Sequence, residues 1–123
     1  MRGGGLHRRF VRDLALEAGH QCWWTRVEAY VGGGYIDLVI GKGDRLIAVE
    51  VELTPDRVQR DIEKADRIHA TELWIVIPDS TKRAAFQRQL QAVNTRSGTR
   101  ILVFTYPQAI KALTPQGAQS CSL

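Results

Sequence analysis

Asp37, Glu50 and Glu52 are the residues best placed to do chemistry in this 123-residue chain. They stand in two neighbouring segments rich in Ile, Leu and Val: residues 35–41 (YIDLVIG) and 45–53 (RLIAVEVEL). Strand side chains alternate between faces with a period of two. Tyr35, Asp37 and Val39 therefore share a face, as do Leu46, Ala48, Glu50 and Glu52. A tight reversal at Lys42-Gly43 makes the segments a hairpin. Ile40 then opposes Arg45, Asp37 opposes Ala48, and Asp37 lies diagonally beside Glu50. Like charges so placed repel by about 0.2–1 kcal/mol per pair on a solvated face. A hard divalent cation relieves that repulsion, and Mg²⁺ prefers one or two carboxylates plus water and phosphate oxygens. The plain alternative is an amphipathic hairpin with a wet acidic face.

A fourth carboxylate precedes them. Residues 6–19 have helical spacing, with Leu6, Phe10, Leu14 and Ala18 as an apolar arc and Gly19 as a stop. Glu17 falls inside that arc, where an acid needs a partner. It either joins the hairpin carboxylates or lies at the arc's edge and reaches out to solvent or to an Arg.

The remaining elements must position these groups. Residues 21–30 (QCWWTRVEAY) read as a strand, and Gly32-Gly33-Gly34 as the turn into residues 35–41. Thr54-Pro55 reads as an N-cap followed by the first helical residue, and the helix runs to about residue 70. Residues 72–78 (ELWIVIP) are almost continuously apolar, as in a strand buried on both faces. A helix from Thr81 to about residue 95, a strand at 101–105 and a short helix opened by Pro107 complete the order α-β-β-β-α-β-α-β-α. This order implies an α/β fold, with a mixed sheet and helices on both faces. Residues 1–123 are expected to form one domain, with a loose basic arm at 1–5 and a frayed tail at 114–123.

The hydrophobic fraction of 44% excludes a disordered chain. The apolar stretches are strand-sized, so no membrane span is expected. No apolar segment of signal type follows Met1. Two cysteines, Cys22 and Cys121, are too few for a disulfide framework and wrongly spaced for zinc. They are expected as free thiols in a reducing cytoplasm.

The net charge is +4, a modest basic excess compatible with a polyanion. Arg57, Arg60, Lys64 and Arg67 form one stripe on the helix after the hairpin, opposite Val58, Ile62 and Ala65. With Arg2, Arg8, Arg9 and Arg12 they are candidates for phosphate contacts. The bland reading of that helix is a solvated face, because Asp61, Glu63 and Asp66 are interleaved. Trp23 and Trp24 point opposite ways, one to the core and one to a base or a subunit interface. His7, His20 and His69 do not cluster and default to surface or cap roles.

The succession of a Glu-bearing helix, a meander with Tyr35-Ile36-Asp37 and Glu50-Val51-Glu52, then a helix and another strand, resembles the PD-(D/E)XK phosphodiesterase superfamily. The likeness covers about residues 6–105. It is nearest to the small archaeal-type Holliday junction resolvases and related restriction-enzyme domains. It implies a three-layer restriction endonuclease-like fold and a metal-dependent DNA endonuclease working with Mg²⁺ or Mn²⁺. In that case Asp37, Glu50 and the Val51 carbonyl hold the ion, Glu52 orients water, and Glu17 reaches the ion through water. Two cuts in DNA imply a homodimer. The chain departs from the pattern at Ile36, where Pro is usual, and at Glu52, where Lys is usual. Gln59 and Lys64, on the following helix, are candidates for the missing Lys role. Other readings within the resemblance are a restriction- or repair-type nuclease, or a DNA-binding module without activity.

Overall fold

In the computed structural model, which describes residues 4–93 and 98–114, the first helix α1 spans Gly5–His20. The expected arm thus shortens, because Gly5 is already helical. Met1, Arg2 and Gly3 lie outside the described residues, and the tail is described only at Thr114. The buried face of α1 is His7, Val11, Leu14 and Ala18, so the expected arc is rotated at its start. Leu6 is exposed, and His7 turns inward.

The helix ends by donating Gln21 N to the Glu17 carbonyl (3.0 Å) and Trp23 N to that of Ala18 (2.9 Å), with Cys22 at φ +70°. This is a left-handed C-terminal cap. It withdraws residues 21–23 from any ladder, so the strand expected from residue 21 starts at Trp24. Cys22 sits in this turn and is disulfide-bonded, which overturns the expected free thiol. The thiol argument for a cytoplasmic location goes with it. Cys121 lies outside the described residues.

Strands β1 (Trp24–Tyr30), β2 (Tyr35–Lys42) and β3 (Arg45–Val51) form an antiparallel meander. The β2–β3 register differs from the expected one: Lys42 pairs with Arg45, Ile40 with Ile47 and Leu38 with Val49. The tight turn is therefore Gly43-Asp44, with Gly43 at φ +60°, as a two-residue turn with Gly first requires. The slip conserves face parity, because side chains alternate with a period of two. It moves Asp37 from the Ala48 level to the Glu50 level.

After β3 a 3-10 turn (Pro55–Arg57) leads into α2 (Val58–Arg67). Thr54 makes no side-chain cap bond to the helix, because its hydroxyl bonds Asp56 instead. Then come β4 (Glu72–Ile77), a 3-10 turn (Ser80–Lys82), α3 (Arg83–Ala92), β5 (Arg100–Thr105) and α4 (Tyr106–Leu113). Asp79 stops the second turn from fraying by accepting from Thr81 N, and Thr105 with Gln108 forms a capping box on α4.

The mixed sheet has the order β1-β2-β3-β4-β5, with β3, β4 and β5 parallel. Helices α1 and α4 pack on one face, over Leu38, Ile40, Val49, Val51 and Trp74. Helices α2 and α3 pack on the other, over Val39, Ala48, Leu73 and Ile75. The protein is thus an α/β domain with helices in layers on both sides of the sheet. Trp23 is buried and Trp24 exposed, as their adjacency requires. Among the described residues no helix is long and apolar enough to cross a membrane.

Candidate functional site

The sheet opens at one end of β2. The β1–β2 ladder passes from Val27–Leu38 to Ala29–Ile36, skipping Glu28 and Asp37. Glu28 is held at φ +52°, a conformation that side-chain-bearing residues seldom adopt. The β2–β3 ladder stops at Leu38–Val49. Side chains bridge the gap that follows. Asp37 N donates to Glu50 Oε1 (2.9 Å), and Val51 N donates to Asp37 Oδ2 (2.8 Å). The register therefore brings the two carboxylates closer than the diagonal expectation. It also makes each carboxylate an acceptor for the other strand's backbone.

Helix α2 supplies the counter-charge. Lys64 Nζ lies 2.6 Å from Glu50 Oε2 and donates to the Tyr35 carbonyl at 2.7 Å. Its ammonium also lies 3.8 Å from Asp61 Oδ1. Lys64 was expected on an exposed basic stripe, yet it is buried, because a partnered ammonium tolerates burial that a lone one does not. Asp61, expected to neutralise that stripe from solvent, has no solvent exposure (0%) and lies against Glu52. Glu52 is buried too, so it does not stand at an open surface to orient water.

From α1 the residue that reaches this cluster is His7. Its Nε2 is 3.1 Å from Asp37 Oδ2, and its Nδ1 is buried without a partner. Glu17 does not reach it. Ten residues further along the helix, ~15 Å on, Glu17 accepts from Gln21 Nε2 (2.9 Å) and from the Thr114 hydroxyl (3.4 Å). Its place in the arc is an edge position beside α4. Gln59 is exposed.

Residue type alone assigns His7 and Asp61 to the surface. Their spacing carried the signal. His7 repeats with Val11, Leu14 and Ala18 on one face. Asp61 falls with Val58, Ile62 and Ala65 on another.

Burial and the neighbouring Asp37 push the Glu50 carboxyl up to about 7, with Lys64 opposing. Burial, then the Glu52 hydrogen bond and the charges of Glu50 and Glu52, push Asp61 up to about 12. Asp61 is thus a neutral acid at neutral pH. A raised carboxyl binds more protons folded than unfolded, so its stabilising effect is complete below its unfolded pKa and is lost as pH rises. For Asp61 that loss starts near pH 4, from an ordinary value of 3.8. Asp61→Asn keeps a neutral donor and removes the proton-uptake cost. Thermal unfolding should therefore give an Asn variant with a midpoint several degrees above wild type at pH 8 and near it at pH 4. A lower midpoint at pH 8 would show that Asp61 works as an anion.

Only Asp37 among these four buried carboxyls lines the adjoining cleft, a space of about 1630 Å³ that runs from α1 past the end of β2 to α2. Arg8, Arg9, Arg12, Arg57, Arg60 and Arg67 line it as well. Arg2 lies outside the described residues. The oxygen donors of Asp37 and Glu50 suit a hard cation such as Mg²⁺ and not zinc, which favours His and Cys. Among the described residues no three His, Cys, Asp or Glu side chains are grouped to hold one ion. Mg²⁺ needs only one or two carboxylates and keeps several waters; Asp37 on the cleft wall meets that minimum, while Glu50, with no solvent exposure (0%), would have to exchange the Lys64 ammonium for the ion. No protein-family model matches the chain, and no curated protein matches it.

Proposed function

We propose that this chain is a metal-dependent DNA endonuclease of the PD-(D/E)XK kind. One observation carries the reading. The Asp37–Glu50 bridge sits in a splayed strand pair, and Asp37 lies on the wall of a cleft lined by six arginines. The arginines would grip the phosphates on both sides of the site, bidentately where geometry allows. Asp37, Glu50 and the Val51 carbonyl would hold Mg²⁺ or Mn²⁺. When bound there, the ion would supply a water of lowered pKa and neutralise charge developing on the phosphate. Lys64 would take the role of the lysine that Glu52 displaces from the strand, by setting the charge on Glu50. Asp61 and Glu52 would hold the Lys64 ammonium in place from beneath. His7 would fix the Asp37 carboxylate. A homodimer would supply the two sites that two cuts require.

The decisive experiment incubates the protein with a four-way junction and a matching linear duplex in Mg²⁺, Mn²⁺ or EDTA. Metal-dependent cutting of the junction alone supports a junction resolvase, and cutting of both supports a restriction- or repair-type nuclease. A second reading has its own observation: the Lys64 ammonium already neutralises a Glu50 that has no solvent exposure (0%). On that reading the protein is a DNA-binding module. It would bind DNA with the steep salt dependence of phosphate contacts, equally well in EDTA, and cut nothing.

A further inference from the structure

We infer that Tyr35, on the cleft wall, and Tyr30, packed against it, form a stacking platform for an unpaired nucleobase, so that the ligand class is single-stranded or locally opened nucleic acid rather than closed duplex. This inference rests on the proposed DNA-directed function and narrows its substrate. Tyr30 and Tyr35 face each other at the last rung of the β1–β2 ladder. Their rings meet edge to face at 5.2 Å between centroids. Yet 66% of Tyr30 and 59% of Tyr35 remain exposed. Neither belongs to an apolar core cluster.

The pair is also held in place. The Tyr30 hydroxyl accepts from Gly33 N (3.1 Å), and Arg67 donates to the Gly32 carbonyl (2.7 Å), which fixes the loop between the rings. The Tyr35 carbonyl accepts from Lys64, whose ammonium is bound to Glu50. Tyr35 lines the cleft and precedes Asp37 by two residues on the same strand, which is ~7 Å. A base stacked on the pair would leave its backbone beside Asp37 and within the field of Arg57, Arg60 and Arg67.

The physical argument separates ligand forms. A base inside a duplex has both faces covered by its neighbours, so it offers a protein only edges and phosphates. An unpaired base has a free face, and stacking on an aromatic ring tolerates any base. Rigid exposed rings beside basic side chains are what a flexible strand uses. They add nothing to a grip on closed duplex.

The test measures fluorescence anisotropy of a labelled oligothymidylate and a labelled blunt hairpin duplex, in EDTA so that nothing is cut. Tyr30→Ala and Tyr35→Ala should each weaken oligothymidylate binding on the order of tenfold. Duplex affinity and the salt dependence should stay as in wild type. Tyr35→Phe should bind like wild type, because the ring and not the hydroxyl stacks, whereas Tyr30→Phe also loses the bond from Gly33 N and should lie between wild type and Tyr30→Ala. Trp24→Ala, which removes an exposed ring at the opposite end of β1, should change nothing. Thermal melts of each variant separate a lost contact from a loosened hairpin end. Unchanged oligothymidylate binding in both Ala variants overturns the inference. So does an equal loss on duplex. Wild type that binds duplex without favouring the single strand overturns this inference alone, whereas wild type that binds neither overturns the proposed function with it.

Discussion

Asp37→Asn is expected to abolish phosphodiester cleavage while the protein stays folded. The Asn oxygen can still accept from Val51 N, a bond of 2.8 Å in the wild type, so the splayed strands remain bridged. The negative charge is lost, and with it the one carboxylate of the cluster that lines the cleft. Loss of a single preorganised electrostatic group commonly costs on the order of 10²–10³ in rate, and on the proposed reading, in which Asp37 would both hold a cation and face the phosphate, the cost should be at least that. The measurement is cleavage of junction and duplex in Mg²⁺ beside wild type, with circular dichroism as the folding control. Asp37→Ala should be equally inactive and less stable, because it leaves Val51 N unpaired. Wild-type cleavage by a folded Asn variant would remove Asp37 from the site and the metal reading with it. Cutting lost only because the variant unfolds would be visible in the dichroism.

Lys64→Met is expected to be the most destabilising single change in the cluster. It leaves Glu50 and the Asp61–Glu52 pair without their buried cation. Removing one partner of a buried ion pair costs about 3–5 kcal/mol. For a chain of this size that is a fall in melting temperature of roughly 10–20 °C. The pH dependence has a definite sign. Lys64 lowers the Glu50 pKa, so its loss raises that pKa further. The deficit should therefore be small near pH 5, where Glu50 is protonated, and grow as pH rises through 7.

Divalent cation supplies a second discriminating arm. If Asp37 and Glu50 hold Mg²⁺ or Mn²⁺, the ion should raise the melting temperature of Lys64→Met more than that of wild type, since it no longer competes with an ammonium. No cation-dependent rise in either protein would favour the binding module over the nuclease. A Lys64→Met protein as stable as wild type at pH 8 would show that the ammonium is not the counter-charge of Glu50.

Much of the frame was legible without coordinates. Period-two alternation in residues 45–53 assigned Glu50 and Glu52 to the α2 side, but it fails at Asp37, where Ile36 joins Val39 in the α2-side core and Asp37 meets His7 of α1. The almost continuous apolar run at 72–78 declared a strand covered on both sides, and all six residues of β4 are buried. Local chemistry determines such features: the pattern of apolar residues repeats at the period of the backbone that buries it. The hairpin register was less legible, because it depends on which residue enters the tight turn. Gly43 can stand at either central position by composition, and only its conformation in the folded chain chose Gly43-Asp44.

The identity of the site's neighbours was a tertiary matter. Glu17 and Asp61 are both acids on amphipathic helices, and a wheel puts both near an apolar arc. One ends beside α4 and Thr114, the other beneath Glu52 and Lys64. Lys64 and His7 read as surface residues by type, yet each is buried by a partner some thirty residues distant: Tyr35 for Lys64, Asp37 for His7. Sequence alone determines which faces are apolar, because that is a property of spacing within one element. Whether a charged residue on such a face is buried or solvated depends on whether an opposite charge or a hydrogen-bond donor arrives from another element, and that is decided only when the sheet and its two helical layers close around it.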